Sequence, residues 1–300
     1  MNVTLPPSPR GGEGASITNA EWLRLGDSVI RILPSIRPMI GNSLQVLKSL
    51  SAVPGTSFSN DGESLGILIG GINLSVDSFE DLLIVREVFI HGLYDLFGNA
   101  KDTHVIDVGA NIMIAALRFA AMPGVIKITG FEPMRPTLEK ASRNLQLNPE
   151  LSKKITLHPV GLGARDATLS VDYSATWRGS VSAREAGMTN PYILRAHDHV
   201  TEQAVIREAA TAISEALKDS PANNLILKLD CEGAEEEILA NLAGKGVLSR
   251  FSQVVVEWHR HDHGIDELLE KEGFKGLSFS PTGDRNLGII HAVNTGHISR

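Results

Sequence analysis

The sequence has one cysteine, Cys231, in 300 residues. A single thiol excludes an intrachain disulfide framework and a cysteine-only zinc site, and it suits a reducing cytoplasm. The chain has no block of one basic sign. Its 28 lysines and arginines are outnumbered by 35 acids, a net charge of −7, so a dedicated nucleic-acid binder is not expected. It has no apolar run of membrane-spanning length, so no membrane segment is expected either. The amino terminus, residues 1–16, lacks the apolar core of a signal peptide; rich in Pro, Gly and Ser, it is expected to be a disordered tail. No internal repeat is visible. The apolar fraction of 42% is somewhat low but enough for a globular core. The length allows one large domain or two small ones.

The stretch Val105-Ile106-Asp107-Val108-Gly109-Ala110-Asn111-Ile112 is an apolar run ending in a glycine turn that passes into helix-compatible sequence. It predicts a buried strand, a tight turn and a helix start. In an open α/β sheet such a turn lies at the carboxyl end of a strand, where ligands bind. The dinucleotide pattern G-x-G-x-x-G is missing, because Gly109 is followed by Ala110, Asn111, Ile112 and Met113. That speaks against a nicotinamide-dependent oxidoreductase. An acid just before the turn suits a ligand with an amino group, such as the amino-acid end of S-adenosylmethionine. A second acid, Glu132, closes the next apolar run at Phe131-Glu132-Pro133, where a carboxylate can accept both hydroxyls of a ribose.

Around this centre the chain divides into the tail, a mainly helical extension over 17–100 and a domain over 101–300. In the extension, Trp22, Leu25, Val29 and Leu33, then Ile40, Leu44 and Leu47, follow helical spacing broken by Pro34 and Pro38. Two short helices are expected there, as a cap on the core or a homodimer contact. Residues 51–71 read as loop, with a hairpin from Ile67 to Leu74. A helix is expected over Asp77–Phe97. In the domain, strands are expected at 104–108, 125–131, 155–160 and 167–173, and helices at 112–121, 136–147 and 201–218. Residues 174–190 form a long polar loop of the kind that is usually functional or disordered.

A second diagnostic stretch is Leu227-Lys228-Leu229-Asp230-Cys231-Glu232-Gly233-Ala234-Glu235. It predicts a buried strand, a turn and a helix start. Lys228 and Asp230 share one face by strand alternation. A buried lysine needs a partner, and Asp230 or Glu257 is the natural one. Glu257 and His259 share a face of the strand 254–259. The run His259, His261, His263 reads as a solvated loop, so no metal site is expected. A helix over 266–272 and a final antiparallel pair, 274–279 with 287–293, close the sheet around a polar turn.

With Phe131-Glu132-Pro133 between them, these two stretches resemble the FkbM-type family of S-adenosylmethionine-dependent methyltransferases over about 79–293, with the family domain near 105–276. The resemblance implies an α/β, Rossmann-like, seven-stranded class I methyltransferase sheet. It also implies methyl transfer, typically to a hydroxyl of a small molecule or sugar. Matched residue by residue, Asp107, Gly109, Ala110 and Asn111 would hold the methionine moiety. Glu132, beside Pro133, would bind the ribose, and Asn144 and Gly161 would border the cofactor. Lys228, Asp230, Glu232 and Glu257 would face the acceptor. The family commonly has glycine where this chain has Met113, whose side chain would narrow the methionine pocket or point into the core.

For transfer to a hydroxyl, Asp230 or Glu257 would accept the proton, His259 would be the alternative base, and Lys228 would keep Asp230 ionised. The rival of a different class is a non-catalytic cofactor-binding or scaffold protein on the same sheet, which would bind the cofactor without turnover, or not bind it.

Overall fold

The computed structural model describes residues 21–96, 101–174, 182–183, 198–259, 264–279 and 287–297. The expected tail, most of the 174–190 loop, His261, His263 and the turn before Leu287 lie outside the described residues.

The extension is mixed rather than mainly helical. Its first segment is a hairpin, β1 (Trp22–Leu25) and β2 (Ser28–Arg31), not a helix. Leu25 and Ile30 point inward while Trp22, Arg24 and Val29 face solvent. Gly26 makes the turn at φ +57°. The period is therefore two, with a glycine punctuating it. One helix follows, α1 (Arg37–Ser51), and Pro38 lies in its first turn rather than interrupting it, because a missing N–H costs nothing there. The expected hairpin is present as β4 (Ser64–Ile69) and β5 (Ile72–Val76), and β3 (Ser57–Asp61), expected to be loop, adds a third strand. Helix α2 (Phe79–Arg86) starts at a capping box between Ser78 and Asp81. It does not run on to Phe97. It widens into a π-helical turn, Glu87–His91, which stops at Gly92 with φ +62°.

The domain follows. Its elements are β6 (Thr103–Val108), α3 (Ile114–Ala120), β7 (Val125–Phe131), α4 (Arg135–Gln146), α5 (Pro149–Ser152), β8 (Ile155–His158), β9 (Gly161–Gly163), β10 (Ala167–Tyr173) and β11 (Ser182–Ala183). After these come β12 (Val200–Glu208), α6 (Ala209–Leu217), β13 (Asn224–Leu229), α7 (Glu235–Gly244), β14 (Gln253–His259), α8 (Ile265–Lys271), β15 (Phe274–Phe279) and β16 (Leu287–Asn294). The helix expected over 201–218 is thus half strand. Val200 to Ile206 pair antiparallel with β10, and this cross-strand pairing overrides the helical propensity of an Ala- and Glu-rich run.

The main sheet has seven strands in the order β15-β16-β14-β13-β6-β7-β8. All are parallel except β16, which runs antiparallel to both neighbours. This is the class I methyltransferase arrangement. From β6 the chain proceeds outward through β7 and β8, then returns to β13 on the other side of β6. The order reverses between β6 and β13, and a doubly wound sheet opens its ligand crevice at the carboxyl ends of such a pair.

Alternation along the central strands sorts side chains to two cores. Ile106, Val108, Leu227, Leu229, Val254 and Val256 face α6, α7 and α8. Val105, Ile226 and Val255 face the other way and share a core with the extension's Leu65, Ile67, Ile72 and Leu82. By the same period of two, Asp107, Lys228 and Glu257 continue the second set. The polar row of the central strands therefore lies on the face that the extension covers.

Candidate active site

Two turns meet at the carboxyl ends of β6 and β13. After β6, Gly109 has φ +76°, and a Cβ there would stand 1.6 Å from the Asp230 carbonyl oxygen. Only glycine fits where the backbones come this close. The Gly109 and Ala110 amides both donate to the Phe131 carbonyl at 3.1 Å, and the Asp230 amide donates to that of Val108 at 3.1 Å. The turn is thereby stitched to β7 and β13.

Glu132, 7% exposed, ends β7. One carboxylate oxygen accepts from the Asn111 amide at 3.1 Å and the other from the Met134 amide at 2.9 Å. Burial pushes its carboxyl up to about 7 against those donors. Each oxygen keeps a lone pair, so the carboxylate can still accept a hydrogen bond from a ligand hydroxyl.

Other expected cofactor contacts lie behind the turn. Asp107 is 0% exposed, and its Oδ1 is 3.1 Å from the Lys228 ammonium. It supports the turn from beneath instead of lining it. Asn144 is buried, accepts from the Ser75 amide at 2.7 Å and donates to the Ile112 carbonyl at 2.9 Å, so it clamps the turn to β5. Gly161 is packed under Pro133 and Ile206, where an added Cβ would come within 2.7 Å of Ile206. Neither Asn144 nor Gly161 faces an open crevice. Ala110 is buried in the turn, while Asn111 and Pro133 are half-buried at its rim.

Met113 starts α3 with φ +71°, ψ +21°, a left-handed conformation that accounts for glycine being favoured there. Its side chain is fully buried, in the core shared with the extension, with its methyl beside Gly130. It does not narrow the turn. Met113→Gly is therefore expected to leave cofactor affinity unchanged and to lower the melting temperature. Relief of the backbone strain is worth about 1–2 kcal/mol, whereas loss of the buried side chain costs about 2–5 kcal/mol. Thermal unfolding with and without cofactor checks this; tighter cofactor binding by the glycine variant would overturn it.

On the acceptor side, Lys228 (2% exposed) donates to the Gly109 carbonyl at 2.8 Å and lies 3.1 Å from Asp107 and 3.3 Å from Asp230. Burial alone would lower its pKa, but the two carboxylates outweigh it and hold the ammonium above the ordinary lysine range. Lys228 is thus a buried tie between the two turns and does not reach the acceptor. Asp230 ends β13 with its side chain 25% exposed. Glu257, beside it on β14, is pushed up to about 8 by burial and by the charge of Asp230.

His259 bonds Glu235 through Nδ1 at 3.2 Å and faces Glu232 from Nε2 at 3.7 Å. Burial opposes its charge, but Glu232 and Glu235 raise it to about 10. The two carboxylates favour its protonated form, which makes it a poorer base than Asp230. Glu235 is buried and accepts as well from the Cys231 and Gly233 amides, at 2.9 and 3.1 Å. Glu232 stands in the left-handed region at φ +59°, and burial pushes its carboxyl well above the usual range. One donor atom each from Asp230, Glu232 and His259 lies within 4.8 Å of the others. That spacing would admit a cation.

Sequence reasoning missed three site residues. Glu235 was visible only as part of the second diagnostic stretch. Glu87 and Tyr94 come from the extension, and their distance in sequence from β13 carries no signal. Burial, then the charge of Asp230, raises Glu87 to about 7. The Tyr94 hydroxyl is 3.1 Å from Asp230 and hydrogen-bonded to Glu257.

The seven-strand order with its single antiparallel strand β16, and the glycine turn at the reversal point, are those of a class I methyltransferase sheet. The profile of the methyltransferase FkbM domain matches residues 107–275, and the chain belongs to that family. "Methyltransferase 1" of Beauveria bassiana is 26% identical over 199 residues, spanning 63% of this chain and 74% of that protein. "Methyltransferase sdnD" of Sordaria araneosa is 26% identical over 219 residues, 67% of this chain and 84% of that one. Among solved structures, the methyltransferase FkbM of Methylobacillus flagellatus is similar with a TM-score of 0.42 at 14% identity; the match covers 86% of this chain and 60% of that one.

Proposed function

We propose that this protein transfers the methyl group of S-adenosylmethionine to a hydroxyl of a small molecule or sugar, with Asp230 as the base. The observation that carries the reading is the Asp230 carboxylate, part-exposed at the reversal point, beside the Gly109 turn and backed by a buried ammonium. The residues present fit the cofactor. Gly109, Ala110 and Asn111 would hold its methionine end, and Glu132 its ribose. When bound, S-adenosylmethionine supplies an activated methyl group on a sulfonium, which leaves as a neutral thioether and needs no proton.

The protein's own task is then to orient the acceptor oxygen and remove its proton. Asp230 takes that proton. Lys228 balances its charge beforehand. Glu257, still largely protonated at neutral pH, does not compete for the role. Environments that separate two neighbouring carboxyls in this way assign the acid and the base.

The test is a calorimetric titration with S-adenosylmethionine, with NAD as control, followed by labelled-methyl transfer to a panel of hydroxylated acceptors in the presence of a chelator. The expected result is micromolar binding of S-adenosylmethionine alone and transfer to oxygen that survives chelation. Binding of NAD instead would overturn the cofactor, and binding without transfer to any acceptor would favour a scaffold.

A further inference from the structure

The methyltransferase domain does not hold the base by itself. Tyr94 belongs to the extension, ahead of residues 107–275, and is 6% exposed. It follows the π-helical turn Glu87–His91 and the left-handed Gly92. A π-turn holds an extra residue and re-aims what comes after it, and such turns recur at functional sites. Here the chain leaves α2 to lay the Tyr94 ring on the polar row of the central strands. The Lys228 ammonium stands 5.2 Å from the ring centroid, within reach of a cation–π attraction. The hydroxyl lies 3.1 Å from Asp230 Oδ2 and bonds Glu257 Oε2.

Counting protons constrains this row. A phenol has one hydrogen to donate, yet its oxygen contacts two carboxyl oxygens at hydrogen-bond range. With both carboxyls ionised, that one hydrogen would have to be shared between them; a second hydrogen, on one of the carboxyls, satisfies both contacts. Lys228 lies 3.3 Å from Asp230 and favours the anion there, which leaves the proton on Glu257. Glu257 then donates to the Tyr94 oxygen, and Tyr94 donates to Asp230 Oδ2.

We propose that Tyr94 is the positioning residue of this site: its hydroxyl, delivered by the extension, orients Asp230 as the proton acceptor and couples it to a neutral Glu257. Tyr94 does not gain or lose charge in the reaction. The inference rests on the reading of Asp230 as the base, and it makes the extension part of the active site.

Tyr94→Phe keeps the ring, its packing and its face toward Lys228, and removes only the hydroxyl. Asp230 is also faced by Lys228 on its own strand, Asp107 from β6, Glu257 and His259 from β14, Glu232 from its own turn and Glu87 from the π-helical turn. All of these remain in the variant. The acid limb of the kcat–pH profile is expected to move up by about one pH unit, because a hydrogen bond donated to the carboxylate anion is lost. The maximal kcat is expected to fall by up to about 100-fold through misorientation, with cofactor affinity and melting temperature held.

A carboxyl-carbon NMR titration of the full chain, with Asp230→Asn used to assign the signal, reads the same shift without turnover. Unchanged titration of Asp230 in Tyr94→Phe overturns the inference. So does a fall in melting temperature with no movement of the titration, which marks a packing role. If the wild type transfers no methyl to hydroxyls but the titration moves as expected, the proposed reaction fails and the positioning by Tyr94 stands.

Discussion

Asp230→Asn is expected to lower turnover by about 10²- to 10⁴-fold, the range for loss of a general base, while leaving affinity for S-adenosylmethionine near the wild-type value. Asparagine keeps the shape of the side chain, and its amide oxygen can still accept from Tyr94. Lys228 keeps Asp107 and the Gly109 carbonyl as partners, so the turns stay tied. Only the capacity to take a proton is lost. The neighbours are poor replacements at neutral pH: burial still raises Glu257, and the Glu232 and Glu235 carboxylates still favour the imidazolium of His259, although both groups lose the contribution of the Asp230 charge. The measurement is kcat on a hydroxylated acceptor beside a calorimetric titration of the cofactor. Turnover that persists in Asp230→Asn would remove the base assignment, and a matching loss of cofactor binding would show that the substitution had disturbed the Gly109 turn instead.

Lys228→Met is expected to have the largest effect on stability, about 3–5 kcal/mol, the cost of breaking a buried ion pair from one side. Apart from their ion pair with Lys228, the Asp107 oxygens have no hydrogen-bond partner among the described residues. Without the ammonium, Asp107 is a buried anion with nothing to balance it. Burial already raises its pKa, and the variant loses the charge that opposes that rise. An acid whose pKa is higher in the folded than in the unfolded state binds more protons when folded, so stability falls as pH rises through that window. The defect of Lys228→Met should therefore be worst at neutral pH and recover as pH falls toward the ordinary aspartate range. Urea unfolding across pH checks this, and a pH-independent loss would point to packing alone. Replacing Asp107 by leucine in the same chain should restore part of the stability, because removing both charges leaves no orphan.

Much of the domain is legible in the sequence because its signals are local. The run Val105–Val108 with Gly109, and the run Leu225–Leu229 with Asp230, are apolar strands that end in turns only certain residues can make. Parallel central strands are covered on both faces and so read as continuous apolar runs. A lysine within such a run, as at Lys228, calls for a partner; Asp230 is among those expected, whereas Asp107, read as a cofactor contact, is the second. The errors fall where the pattern is short or the deciding contact is distant. Trp22–Arg31 has apolar residues that fit a helical spacing and a hairpin alike, and Gly26 decides for the hairpin. Val200–Glu208 is rich in residues that favour helix, and its pairing with β10 prevails. The family resemblance places Asn144 beside the cofactor, but its amide is spent on Ser75 and Ile112.

Local sequence carries the central strands β6, β7, β13 and β14 with their turns, the glycine after β6, the acid at the end of β7 and the pairs that share a strand face, Lys228 with Asp230 and Glu257 with His259. Each follows from backbone sterics or a period of two, which neighbours in sequence enforce. What covers the face of Asp107, Lys228 and Glu257 is settled by packing alone. The tertiary structure placed Tyr94 against Asp230 and Glu257, turned Met113 into the core and sealed Asp107 beneath the turn. Those outcomes depend on how the extension packs on the sheet, and packing is set by the summed burial of side chains far apart in the chain, a quantity that no local pattern carries.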